Sequence, residues 1–401
     1  MMNRIDIIPS KSYAHRALIC AALSPKKTRV ICRLHSEDVE ATRRCLEALS
    51  RGEEGMECGE SGSTLRFLVP VVGALGRTAV FYTKGRLPKR PMSPLREELE
   101  AHGMTLSEEG KSPLTVSGRL RPGLFRLPGN VSSQFVSGIL LALPLLEEDS
   151  TIEILGELQS AHYVDMTVAV MRDFGIEVEV QSGPGISYHV SGRQQYHGGE
   201  KYVVEGDWSS AAFWLTAAAI GDRPLTVGNL NLNSLQGDRR IADLIKQFGA
   251  HVETGDDCVT VSPGKMNGSV VDVSDIPDLA PVIALLGAAA SGTTKIANAE
   301  RLRLKESDRL SGIADVLSAL GGDVIESRDS LLIGGQDGRP LEGGVIDPKN
   351  DHRIAMMAAV ASLICRNPVR IKGSSCVAKS YPGFFRDLKK LGLDKNVRAE
   401  E

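Results

Sequence analysis

The sequence predicts an α/β protein of two domains, assembled from six copies of one strand–helix unit. Three observations carry that reading. The glycines at 103, 175, 249 and 321 are spaced 72, 74 and 72 residues apart, and each closes an amphipathic helix that leads into two hydrophobic-alternating strands. Three further segments, 213–220, 279–290 and 354–364, are apolar nearly all round, so they belong inside a domain rather than on its surface. A length of 401 residues is long for one core and suits two, and the polar stretch His197-Gly198-Gly199-Glu200 between the third and fourth copies reads as the linker.

Taken in order, Ile5-Asp6-Ile7-Ile8 reads as a short strand able to pair in either domain. Ser10-Lys11-Ser12 then precedes a helix around residues 16–23, and a weak copy of the repeat centres on Leu49-Ser50-Arg51-Gly52. Gly59-Glu60-Ser61-Gly62-Ser63-Thr64 precedes an apolar run from Leu65, and the first clear copy runs from residues 99–103 to 114–118. Asn130-Val131-Ser132-Ser133-Gln134 opens the apolar stretch 135–146, and the next copy runs from 171–175 to 188–192. In the second half, 245–249 leads to 259–262 and 317–321 to 331–334, while a last copy begins at 388–392 and runs out of chain. Such units cannot bury their own apolar faces and must stack. Sheets outside with helices inside, or the reverse, both satisfy that demand, and periodicity does not choose.

Composition narrows the function. Hydrophobic residues make up 42 % and charged ones 24 %, and 47 Lys+Arg against 50 Asp+Glu leave a net charge of −3. There is no basic block, so no nucleic-acid partner is expected. The seven cysteines form no CxxC pair and no zinc spacing, which predicts buried thiols in a reducing cytoplasm and no metal. No signal-like or membrane-length apolar segment appears. Neither GxGxxG after a strand nor GxxxxGK[ST] is present, which argues against NAD and ATP.

The informative side chains stand just before apolar elements. Backbone N–H groups at helix starts, joined by serine hydroxyls, make anion sites, although the same serines also fit plain N-caps. Lys305 and Arg309 fall at i,i+4, which predicts one helical face, with Glu306 beside them. Asp351 fits either a pair with Arg353 or a cap of the helix that follows. Lys11, Arg16, Arg90, Lys305, Arg309, Arg353 and Lys379 together suit a substrate pair rich in phosphate and carboxylate, leaving Asp278 and Glu306 to move protons.

These residues resemble the 5-enolpyruvylshikimate-3-phosphate synthase family of enolpyruvyl transferases. The motifs are Pro9-Ser10-Lys11-Ser12 with Arg16, the stretch 59–66, Leu87-Pro88-Lys89-Arg90-Pro91, Val131-Ser132-Ser133-Gln134-Phe135 and Val204-Glu205-Gly206-Asp207. Gln236-Gly237-Asp238, Ile276-Pro277-Asp278, Lys305-Glu306-Ser307-Asp308-Arg309, Asn350-Asp351-His352-Arg353 and Ala378-Lys379-Ser380 complete the set, in family order over nearly the whole length.

The resemblance implies a two-domain inside-out α/β barrel of six βαβαββ repeats, three per domain. Residues 1–10 would join 205–401, residues 11–204 would form the other domain, and the crossovers near 10 and 204 would be hinges. It implies transfer of the enolpyruvyl group of phosphoenolpyruvate to the 5-hydroxyl of shikimate-3-phosphate with no cofactor, by a cytoplasmic monomer that glyphosate targets. It assigns Lys11, Ser12, Arg16, Ser132, Ser133, Gln134, Ser160, Tyr163, Asp278, Arg301 and Lys305 to shikimate-3-phosphate. Lys11, Gly62, Ser63, Arg90, Gln134, Arg309, Arg353 and Lys379 go to phosphoenolpyruvate, and Asp278, Glu306, Lys379 and Lys11 to catalysis. The chain departs from the family pattern at Ser10, at Glu60, and at Arg301-Leu302-Arg303, where many members have Asn-Trp-Arg. A carboxylate at Glu60 would either face away from the anions or pair with a cation such as Arg90. The sister transferase acting on UDP-N-acetylglucosamine typically carries a cysteine in the loop that corresponds to residues 85–90, where this chain has none.

Overall fold

Four of the repeats fold into the same four-stranded sheet in a computed structural model that describes residues 3–183 and 185–401. In the first, Gly55–Gly59 pairs parallel with Ala79–Thr83, and the hairpin of Met104–Leu106 and Leu114–Gly118 adds antiparallel. The strands Leu124–Pro128, Ser150–Leu155, Glu179–Ser182 and Ile186–Val190 repeat the pattern, as do Val270–Asp272, Thr293–Ala297, Asp323–Glu326 and Leu331–Gly334. A parallel pair needs a crossover, and the helices Gly62–Ala74, Ser133–Ala142 and Ala280–Ala289 supply it. The hairpin closes each unit. The recurring glycines are explained by backbone geometry: Gly103, Gly175, Gly249 and Gly321 have φ of 94°, 75°, 109° and 81°, the left-handed conformation that ends a helix.

The fourth such sheet is discontinuous in sequence. The opening strand Arg4–Asp6 pairs parallel with Leu225–Gly228, which continues antiparallel to Val259–Ser262 and so to His251–Thr254. The remaining two sheets are smaller: Arg29–Ile31 with Lys201–Val203, and Gly344–Ile346, Val369–Ile371 and Val397–Ala399, all parallel. The chain forms two compact units, Met1–Ile8 with Glu205–Glu401 and Pro9–Val204.

The polar stretch before Lys201 is therefore no linker. Lys201–Val203 is a strand of the Pro9–Val204 unit, the Arg29 amide donates to the Glu200 carbonyl, and Gly198 packs against Phe174. Composition marks a surface segment there, and only strand pairing shows that it is ordered.

Each unit buries its apolar helices and turns one face of each sheet to solvent. In the Pro9–Val204 unit, Lys11–Leu23, Gly62–Ala74 and Ser133–Ala142 form the centre. A Cβ on Gly138 would stand 2.2 Å from the Arg66 carbonyl, so the glycine lets the last two helices meet backbone to backbone. In the other unit Trp208–Ile220, Ala280–Ala289 and His352–Ala361 are buried over nearly every residue. Tyr82, Leu155, Val270 and Ile325 mark the exposed sheet faces. Burial thus settles the arrangement that periodicity left open, with helices inside. All seven cysteines are free, and Cys258 alone among them is not fully buried. No described helix is long and apolar enough to cross a membrane, and no described group of His, Cys, Asp and Glu is placed to hold a metal.

Candidate functional site

In the Pro9–Val204 unit the three buried helices all start on a serine. Ser10, Ser61 and Ser132 are N-caps whose hydroxyls accept from the amides of Tyr13, Thr64 and Gln134. The N-cap reading of these serines is met, and the helix starts they cap bear polar side chains. Lys11, the first helical residue, places Nζ 2.7 Å from Asp38 Oδ2. Gln134 joins two helix starts, donating from Nε2 to Ser63 Oγ at 3.0 Å and accepting at Oε1 from Arg66 Nη1 at 2.7 Å. Ser133 is buried.

Gly62 lies beneath two guanidinium groups. A Cβ there would come within 2.9 Å of Arg90 Nη1 and 3.0 Å of Arg66 Nη1. Arg66 is held by Gln134, by the Pro91 carbonyl at 3.0 Å, and over the Phe135 ring at 5.5 Å. Its placement beside Gly62 escaped the sequence reading, although four residues along one helix make that proximity legible. Glu60 does not extend alone into solvent: its carboxyl packs on Gly85, whose Cβ would meet Glu60 Cδ at 2.5 Å.

Arg16 is turned inward. It donates to Thr167 Oγ1 at 2.7 Å, to the Ser12 carbonyl at 2.7 Å and to the Tyr163 carbonyl at 2.8 Å, and it lies over Phe67. Burial pushes its guanidinium down to about 10. It thereby fixes the places of Ser12 and Tyr163. Ser160 caps the next helix in the left-handed region, at φ 57°, a seat that strains a non-glycine residue and is retained where the surroundings enforce it.

The unit of Met1–Ile8 and Glu205–Glu401 gathers its charges around Asp278. Arg309 Nη1 donates to Asp278 Oδ1 at 2.8 Å, Arg353 Nη2 lies 3.2 Å from Oδ2, and Lys305 Nζ lies 3.8 Å from Oδ1. Arg309 is 1 % exposed and also bonds Glu306 Oε2 at 2.5 Å and Asp351 Oδ2 at 3.0 Å. Asp351 caps the helix His352–Ala361 by accepting from the Arg353 amide. Its ionic partner is Arg309, while the Arg353 guanidinium goes to Asp278. Lys379 Nζ donates to the Asn350 carbonyl at 2.7 Å.

The expectation of one helical face for Lys305 and Arg309 fails. Glu300–Leu304, which carries Arg301, is a 3-10 turn, Lys305 ends it in extended conformation, and Arg309 opens a new helix capped by Asp308. The two cations meet through Asp278 instead.

Electrostatics distinguish these groups. Burial alone would raise the Asp278 carboxyl, but Arg353, Lys305 and Arg309 outweigh it and hold it well below the usual range. Burial lowers Lys305 to about 8 against the pull of Asp278. Asp238, 2 % exposed, is pushed up to about 7 by burial and by Asp278, despite Arg353 and the Ser209 hydroxyl that donates to it. The motif containing Asp238 was visible in the sequence, but its elevated proton affinity depends on enclosure.

Taken together, the Pro9–Val204 unit offers neutral helix caps beside cations, suited to binding anions. The other unit offers an ionised carboxylate beside a lysine that burial lowers to about 8, a pair able to exchange a proton.

Comparison with known proteins identifies one family over nearly the whole chain. A family model described as EPSP synthase (3-phosphoshikimate 1-carboxyvinyltransferase) matches residues 2–388. The 3-phosphoshikimate 1-carboxyvinyltransferases of Clostridium kluyveri and Clostridium acetobutylicum are each 42 % identical to it, over 97 % of this chain and 95 % of theirs. A solved EPSP synthase from Acinetobacter baumannii superposes with a TM-score of 0.80 at 26 % identity, covering 98 % of this chain and 96 % of that one. The enolpyruvyl transferase NikO from Streptomyces tendae, at 18 % identity and a TM-score of 0.73, shares the fold.

Proposed function

This chain belongs to the EPSP synthase family, and we infer from that premise that it transfers the enolpyruvyl group of phosphoenolpyruvate to the 5-hydroxyl of shikimate-3-phosphate, releasing phosphate. The family match over residues 2–388, which spans both units, carries the reading. Ser132, Ser133, Ser160 and Lys11 take the shikimate phosphate, supported by the clustering of capped helix starts. Gln134, Asp278, Arg301 and Lys305 surround its ring and carboxylate, with Ser12 and Tyr163 held for that purpose by Arg16. Arg90, Arg309, Arg353 and Lys379 hold phosphoenolpyruvate, together with Lys11, Gln134, Gly62 and Ser63. Arg309, enclosed by three carboxylates, also sets the places of Asp278 and Glu306.

The chemistry is addition followed by elimination. The 5-hydroxyl oxygen bonds to C2 of phosphoenolpyruvate while its proton passes to the Asp278–Lys305 pair, and Glu306, assisted by Lys379, protonates the methylene carbon. The product of that step is a tetrahedral ketal phosphate. Loss of a methyl proton back to Glu306 and rupture of the C2–O bond then expel phosphate, which takes a proton from the other pair. The cations keep the phosphate and carboxylate charges in place through both steps, so no large reorganisation accompanies the chemistry.

We propose further that the crossovers Ile8–Pro9 and Val204–Glu205 are hinges and that the protein works as a cytoplasmic monomer without a cofactor. Scattering should show a smaller radius of gyration with both substrates, and light scattering a single chain at assay concentration. The deciding experiment is phosphate release from phosphoenolpyruvate. Release that requires shikimate-3-phosphate supports this function; release driven by UDP-N-acetylglucosamine instead, or none, overturns it.

A further inference from the structure

A line of buried hydroxyls crosses three helices of the Pro9–Val204 unit and ends on an imidazole. His15 Nδ1 lies 2.7 Å from Thr42 Oγ1, Thr42 Oγ1 lies 2.7 Å from Thr64 Oγ1, and Ser61 Oγ lies 2.7 Å from the same Thr64 oxygen. Thr64 Oγ1 donates in turn to the Asp38 carbonyl at 3.4 Å. The four side chains are 0–1 % exposed. They come from Lys11–Leu23, from Glu37–Arg51, and from Gly62–Ala74 with its cap.

The imidazole orients the line. A buried lone pair left empty costs less than a buried N–H left empty. His15 Nε2 is buried without a hydrogen-bond partner, so Nδ1 is the protonated nitrogen and donates to Thr42 Oγ1. Thr42, accepting from His15, gives its own proton to Thr64. Burial, with the charges of Lys11, Arg16 and Arg43, holds the imidazole well below its usual range, so it stays neutral.

The line ends at part of the site, because the Ser61 hydroxyl caps the helix that begins at Gly62 and Ser63. We propose that His15, acting through Thr42 and Thr64, is a positioning residue that fixes the Gly62 helix start for phosphoenolpyruvate. This rests on the function inferred above. Ser132, Ser133 and Ser160 lie off the line, so shikimate-3-phosphate should not register its loss.

The test combines a spectrum with kinetics. In the wild-type protein labelled with 15N-histidine, His15 should show a neutral ring protonated at Nδ1 from pH 6 to 8; protonation at Nε2 overturns the proposal and needs no variant. His15→Leu keeps the bulk of the side chain but deletes the donor. It should raise KM for phosphoenolpyruvate by about tenfold or more, with KM for shikimate-3-phosphate within about twofold. His15→Asn, whose amide N–H can reach Thr42, should recover most of that loss. Adding Thr64→Val to His15→Leu should cost little more, because the two substitutions interrupt one line. Equal rises in both KM values, no rescue by asparagine, or full additivity would each refute it. Failure of the functional reading is separate, since it would appear as absent turnover in the wild-type enzyme.

Discussion

The two units bury three apolar helices each, yet they start them differently. In Pro9–Val204 the caps are Ser10, Ser61 and Ser132, all neutral. In the other unit Asp207 and Asp351 cap two of the helices, and Asp278 stands in the 3-10 turn that leads into the third. A helix start carries roughly half a positive charge. A serine cap satisfies an amide and leaves that charge for a ligand, whereas an aspartate cap cancels it locally. The same asymmetry runs through the ion pairs. Arg309 alone meets Asp278, Glu306 and Asp351, while the Gly62 helix start has two guanidinium groups beside it. One fold thus carries neutral helix caps in one unit and a network of paired charges around Asp278 in the other.

The sharpest test of the proposed proton transfer is Glu306→Gln. The amide keeps shape and much of the binding but cannot deliver a proton, so kcat should fall by about 10²–10⁴ while KM moves little. Near-normal turnover in a steady-state assay would remove Glu306 from its role. Asp278→Asn should show the same kinetic pattern, with an added loss of stability from leaving Arg309 and Arg353 undercompensated.

Ser132→Asp tests the neutral caps directly. Aspartate caps a helix as well as serine does, so the melting temperature should hold, but its charge opposes a phosphate. Affinity for shikimate-3-phosphate should fall by about tenfold or more, roughly the 1.4 kcal/mol that one such factor represents. Unchanged binding by calorimetry would show that this helix start does not receive the phosphate.

Gly62→Ala probes the crowding at the paired guanidinium groups. The new methyl meets Arg90 at 2.9 Å and Arg66 at 3.0 Å, so one of them must shift. Glyphosate, longer than phosphoenolpyruvate, should lose more affinity than the substrate, and shikimate-3-phosphate should lose almost none. Equal losses for all three, with a lowered melting temperature, would mean that the glycine serves only the fold.

The smallest expected effect is a change in pH dependence. Asp238 has a folded pKa of about 7, raised above the unfolded value of about 3.9. Its contribution to stability is therefore fully present below the unfolded value and is lost as pH rises through the folded one. Asp238→Asn still accepts from Ser209 but does not titrate. Chemical denaturation at pH 4.5 and 7.5 should show a smaller fall in stability for the variant than for the wild type; parallel curves would count against the raised pKa.

Much of the architecture was legible because it follows from local rules. A glycine at φ 94° ends the helix before it wherever the chain folds, so Gly103 and its counterparts announced the repeat. The stretch 213–220 has no polar face, and burial was the only place for it. The caps Ser10, Ser61 and Ser132 were visible for the same reason, since a cap is satisfied within three residues.

What sequence spacing misjudged lay where separation along the chain and separation in space part company. The i,i+4 spacing of Lys305 and Arg309 suggested one helical face, but a 3-10 turn and an extended residue intervene, and the shared partner Asp278 is 31 residues from Arg309. Lys11 meets Asp38 across 27 residues, and Gln134 meets Ser63 across 71. The polarity of residues 197–200 spoke of solvent and said nothing of the strand pairing beside it. By itself the sequence determined the four clear repeats, the helices that had to be buried and the residues able to carry charge, because periodicity, capping and composition act over a few residues. The weak copies at 49–52 and 388–392 lead into single parallel strands rather than a hairpin. The tertiary structure alone decided which cation meets which carboxylate and which groups lose their water, because desolvation and Coulomb attraction depend on distances that only packing sets.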